Sequence, residues 1–171
     1  QGYVEYRFPQ VISPGTPLET LVFSMEIASE APRSNEDYPS DITLWVNGVE
    51  IGTWTSPGDF GNERGALTPE WWGGRNSQYG LLKLWKITGE STYVDGLKIS
   101  DTRLADLRLA DQPYISLRIG VSADAQFVGG LNLFGRKFGN YPQDIVMTMH
   151  FTKHAEAATE METFETADTP K

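Results

Sequence analysis

Ser40-Asp41-Ile42-Thr43-Leu44-Trp45-Val46-Asn47-Gly48-Val49-Glu50-Ile51-Gly52-Thr53-Trp54 is the stretch that decides the fold. Ile42, Leu44 and Val46 fall on one side of an extended chain and Thr43 and Trp45 on the other, because successive side chains of a strand point to opposite faces. Asn47-Gly48 tolerates the positive φ that both central residues of a two-residue hairpin turn require. Two strands folding back on each other are therefore expected here.

Working outward, the same period of two recurs. Leu21, Phe23, Met25 and Ile27 alternate with Ser24 and Glu26. Ile115, Leu117, Ile119 and Val121 alternate with Ser116, Arg118 and Gly120. Ile145, Met147, Met149 and Phe151 alternate with Val146, Thr148 and His150. Further strands are expected over 78–88, 92–99 (after a Gly89-Glu90 turn) and 131–134. Tyr3–Phe8 reads as an edge strand ended by Pro9. Thr102–Leu109 reads as a short helix or a strand. Strands at this spacing, parted by turn signals, predict an all-β fold: a two-sheet antiparallel jelly-roll sandwich, galactose-binding-like. Residues 1–154 form that one domain. Residues 155–171, where Glu156, Glu160, Glu162, Glu165 and Asp168 face a single lysine, read as an acidic tail, disordered or a frayed helix. Glu26, Trp45, Arg118 and His150 fall on the less apolar strand faces, where solvated sheet surface is the plainer expectation.

Composition narrows the function. A net charge of −9 argues against direct nucleic-acid binding, which needs a basic face. With no cysteine, disulfides and thiolate metal sites are excluded. His150 and His154 are the only imidazoles, too few for a metal site built from several convergent histidines. No metal and no cofactor are expected. No run approaches the roughly 18 consecutive apolar residues of a membrane span. No signal-peptide pattern is visible, and Gln1 is not an initiator methionine, so the chain reads as a piece of something longer.

The informative interruption of the strand rhythm is the segment 55–77. A segment this long without regular structure is either functional or disordered. Phe60, Trp71 and Trp72 beside Asp59, Arg64 and Glu70 favour an ordered binding loop. Flat aromatic faces stack on the CH-rich faces of sugars, while carboxylate, guanidinium and amide groups hydrogen-bond hydroxyls in fixed directions. The plainer alternative is that Trp71 and Trp72 cap the sandwich core and Arg64 pairs with Asp59 or Glu70. The candidate ligand-binding residues are Asp59, Arg64, Glu70, Trp71 and Trp72, with Gln78, Tyr79 and Lys83 from the segment that follows. Catalysis is not expected. There is no nucleophile elbow and no phosphate-binding loop, although Asp59, Glu63 and Glu70 are carboxylates of the kind a glycosidase pairs.

The stretch Ser40 to Gly61, together with Gln78-Tyr79-Gly80-Leu81-Leu82-Lys83, Val128-Gly129-Gly130-Leu131-Asn132-Leu133-Phe134-Gly135 and Tyr141-Pro142-Gln143-Asp144-Ile145, resembles the C-terminal region of certain bacterial ArsR-like winged-helix transcriptional regulators. The resemblance spans about Tyr3 to Phe151. It implies a cytoplasmic, effector-sensing or dimerising domain, whose contact with DNA runs through an N-terminal domain absent from this chain. With no cysteine to sense metal, a small organic effector is expected, a sugar or sugar derivative. A homodimer is a further expectation. A free-standing carbohydrate-binding module of a larger protein is the alternative, since such modules also combine jelly rolls with exposed tryptophans.

Overall fold

The computed structural model describes residues 2–152. Ten strands follow in chain order: β1 (Tyr3–Pro9), β2 (Leu18–Ala28), β3 (Ser40–Val46), β4 (Val49–Ser56), β5 (Leu81–Ile87), β6 (Thr92–Val94), β7 (Leu97–Ser100), β8 (Tyr114–Val121), β9 (Asn132–Phe134) and β10 (Val146–Phe151). They build two antiparallel sheets, one ordered β1-β8-β3-β4, the other β10-β2-β5-β6-β7. The short β9 extends the second sheet by pairing with the end of β2. The result is a jelly-roll-like β-sandwich.

Alternation explains the core. Leu21, Phe23, Met25 and Ile27 of β2 meet Ile42, Leu44 and Val46 of β3 and Ile115, Leu117 and Ile119 of β8, all fully buried. Trp85 and Ile87 of β5 complete the layer, with Trp85 edge-on to Trp54 at 6.4 Å. The Asn47-Gly48 turn forms as its sequence requires, with φ of 50° and 82°.

Three expectations are corrected. The strand expected over 92–99 is two strands, because Asp95-Gly96 makes a second tight turn (φ 49° and 85°) that pairs β6 with β7. The strand expected over 78–88 is shorter: Gln78 to Gly80 are drawn into loop contacts, and pairing begins at Leu81. Glu26 is not solvated sheet surface; it is wholly buried beneath the loop at 139–143. The ambiguous stretch after residue 102 contains a single 3-10 turn, Leu104–Leu107. His154 and the acidic tail lie outside the described residues. No helix among the described residues is long and apolar enough to cross a membrane.

Candidate functional site

Beyond β2 the chain leaves the sheet through a tight reversal in which Arg33 and Ser34 both take positive φ (66° and 52°). This reversal, the loop after β4 and the segment from β9 to Phe138 enclose a cleft of about 510 Å³. Its walls are Glu30 to Arg33, Trp72, Asn76, Ser77, Asn132 to Gly135, and Phe138.

One wall is aromatic. Trp72 meets Phe138 edge-on at 5.3 Å, and Phe138 stacks on Phe134 at 6.0 Å. Trp72 is fixed from behind: its indole N–H donates to the Ser77 carbonyl at 2.9 Å. The turn that carries it is held by Arg64, whose guanidinium donates to the carbonyls of Pro69, Glu70 and Trp72. Gln78, buried, donates its side-chain amide to the Gly73 and Asn76 carbonyls. Arg64 and Gln78 thus spend their donors on shaping the loop.

Another part of the wall is polar and ordered by relay. Asn132 Nδ2 donates to the Ser29 carbonyl (3.1 Å) and to Ser77 Oγ (2.9 Å). Ser77 Oγ donates in turn to Asp59 Oδ2 at 2.8 Å, which also accepts from the Ala31 N–H. Asp59 is fully buried, and its Oδ1 has no hydrogen-bond partner. Its role among the described residues is to lock Ser77 and Asn132, two residues that line the cleft, in one orientation. With both Asn132 donations fixed, its amide oxygen is left as an acceptor.

Behind this wall Glu26 acts as a clamp. Oε1 accepts from the Gly80 and Asn140 N–H groups (both 2.8 Å), and Oε2 accepts from the Asn140 and Tyr141 N–H groups. The approach is close enough that Gly139, at φ +83°, has no room for a side chain: a Cβ there would overlap the Glu26 carboxylate. This clamp anchors the chain just after Phe138.

The sequence candidates divide accordingly. Trp72 lines the cleft and Trp71 stands beside it, 77% exposed and edge-on to Trp72 at 5.7 Å. Asp59 and Gln78 are buried and Arg64 is exposed, and none of the three lines the cleft. Glu70 is exposed and lends only its carbonyl. Tyr79 stacks on Phe60 at 5.3 Å, and its phenol is pushed above the usual tyrosine range by burial and by Glu36 and Glu63 nearby. Lys83 stands apart from the cleft, bonded to Asp95 at 2.8 Å and placed over the Trp54 ring. Sequence reasoning missed Glu30, Arg33, Asn76, Ser77, Asn132 and Phe138, which come from three distant segments. Asn132 and Phe134 fall within the stretch 128–135 that carries the resemblance, but nothing in that stretch marks them as site residues.

Among the described residues no three His, Cys, Asp or Glu side chains converge to hold a metal ion. His150 accepts or donates a hydrogen bond with Thr20 Oγ1 at 2.8 Å on an exposed sheet face. No family model, curated protein or solved structure matches the chain.

Proposed function

We propose that this domain binds a small, hydroxyl-rich molecule, a sugar or sugar derivative, in the cleft between Trp72 and Asn132. The observation that carries the reading is the pairing, in one cavity, of a rigid aromatic wall with a pre-oriented amide and hydroxyl. Sugars present both an apolar CH face and directional hydroxyls, and sites with fixed donors and acceptors lose little ordering entropy on binding. The volume falls in the range of small-ligand sites, with room for one or two sugar rings. Glu30 and Arg33 at the margin add one charge of each sign.

On the resemblance to ArsR-like regulators, occupancy of this cleft is the signal, passed to a DNA-binding domain joined to the chain. Ligand binding shifts such an equilibrium only through a difference in affinity between its two states. A second reading, a carbohydrate-binding module without regulatory role, is favoured by one observation: Trp71 offers a bare ring next to the cleft, where a longer glycan would continue.

A thermal-shift and calorimetry series over mono-, di- and longer saccharides tests both. At a hundred times Kd, binding adds about 2.7 kcal/mol, a rise of roughly 5–10 °C for a domain of this size. Stabilisation by small sugars, abolished by Trp72→Ala, is the expected result. Affinity growing with chain length and falling in Trp71→Ala favours the module. No stabilisation by any saccharide at millimolar concentration removes the sugar reading.

A further inference from the structure

The four-stranded sheet ends in a free edge. Its β4 side is covered, since Ser100 and Thr102 hydroxyls donate to the Ile51 and Glu50 carbonyls. Its β1 side is bare: no described residue bonds the outward backbone groups of this seven-residue strand. Edge strands that must stay alone are usually short, bulged or guarded by charged side chains, lysine above all, and by proline. On β1 the outward proline stands at the last position only, and the two charges, Glu5 and Arg7, are of opposite sign. β1 pairs with β8 in regular register throughout, carries no lysine, and leaves Tyr3, Val4 and Tyr6 exposed.

Its hydrogen-bonding parity is fixed from both sides. Gln10 N–H donates to the Pro113 carbonyl in step with the β1–β8 register, and Asn47 N–H donates to the Ser116 carbonyl on the other side of β8. Val4, Tyr6 and Phe8 therefore bond β8, and the N–H and C=O groups of Tyr3, Glu5 and Arg7 face outward. Pro9, which has no N–H, sits at an outward position, as an edge demands.

We propose that this edge pairs with the same edge of a second copy, joining two four-stranded sheets into one antiparallel sheet of eight. Residues opposite each other must share a face, which restricts the two-fold axis to an odd or even residue rather than a point between residues. Centred on Glu5 or on Arg7, the pairing sets like charges face to face. Centred on Tyr6 it sets Glu5 against the partner's Arg7, and Arg7 against the partner's Glu5. Glu5 and Arg7 then form the two narrow hydrogen-bonded pairs, while Val4 meets the partner's Phe8 and Tyr6 meets the partner's Tyr6 on the inner face. Among registers that keep the backbone parity, this is the one that sets Glu5 and Arg7 of the two copies opposite each other as unlike charges. Tyr6 also lines a groove that shares Leu133, Phe134 and Gly135 with the cleft.

Sedimentation of the 171-residue chain, in a range up to about 100 µM as suits a small interface, is expected to show reversible dimers. Glu5→Arg and Arg7→Glu each put like charges opposite and should weaken the dimer by roughly tenfold. An equimolar mixture of the two variants restores every opposite pair and should associate as tightly as the original. Thermal melts of each variant separate this effect from loss of the Arg7–Glu5 and Arg118–Glu5 pairs within one copy. Because the chain has no cysteine, Tyr6→Cys reads the register directly: it should oxidise to a disulfide dimer, and Val4→Cys should not. A chain that stays monomeric, a dimer indifferent to both charge reversals, or equal cross-linking at positions 4 and 6 overturns the proposal.

Discussion

Glu26 and Asp59 are both carboxylates sunk completely into the protein, and neither forms an ion pair among the described residues, yet they are used differently. Glu26 engages both oxygens with three backbone N–H groups, from Gly80, Asn140 and Tyr141. Asp59 engages one oxygen, with Ala31 N–H and Ser77 Oγ, and leaves the other unpartnered. A buried polar group is costly unless its hydrogen bonds are made. Glu26 is therefore a saturated clamp whose meaning is mechanical: it holds the loop after Phe138 against the sheet. Asp59 accepts an incomplete set of bonds in order to orient Ser77, and through it Asn132, at the cleft.

Removing the saturated clamp should have the largest effect. Glu26→Ala leaves three N–H groups without acceptors, one from a buried hydrogen bond (Gly80) and two from half-buried ones (Asn140, Tyr141), and should cost about 3 kcal/mol by urea denaturation. Glu26→Gln, which keeps one acceptor oxygen but puts an NH₂ among donors, should cost roughly half of that. Asp59→Asn is the contrasting case. Its carbonyl oxygen can still accept from Ala31 and Ser77, and the NH₂ group replaces an oxygen that had no partner, so a loss within about 1 kcal/mol is expected. If Asp59→Asn proves as damaging as Glu26→Gln, the distinction between the two carboxylates fails.

How far these roles were legible follows from the same contrast. Alternation places Glu26 on the outward face of β2 correctly, but says nothing about what covers that face; the cover arrives from residues 114 or more positions later. The hairpin at Asn47-Gly48 is local and its sequence suffices. Asp95-Gly96 carries the same kind of signal, but it splits a stretch short enough to pass for one strand. In the cleft, Trp72 stood out by type within a long loop. Ser77, Asn132 and Phe138 are ordinary residues that acquire meaning only when β9 pairs with β2 and brings distant segments together.

A smaller change tests the relay itself. Asn132→Ala removes the donor to Ser29 and Ser77 and the acceptor left for a ligand, at a half-buried position. Stability should fall by about 1 kcal/mol. Affinity for any saccharide that binds the parent should fall by roughly tenfold or more, since a site built to bond a hydroxyl leaves it unpaired. Calorimetry on the variant reads both. Unchanged affinity with lowered stability would make Asn132 a scaffold residue and move the ligand's polar contacts elsewhere in the cleft.

A third carboxylate, Asp41, completes the series at the surface. Burial pushes its carboxyl upward, but hydrogen bonds from the Thr55 hydroxyl and from the Phe127 and Gln126 N–H groups outweigh this and hold it below its ordinary value of 3.8. A carboxyl that is more acidic folded than unfolded stabilises the fold above its unfolded value, and that contribution drains away as pH falls through the folded one. Asp41→Asn should thus be less stable than the parent at neutral pH, with the gap closing as pH drops below about 4, as the linkage requires. Partial exposure makes this the smallest effect of the set, because solvent screens what the buried pair feels in full. A gap between parent and variant that stays constant from pH 7 to acid would mean that the Asp41 charge contributes nothing to holding residues 126 and 127.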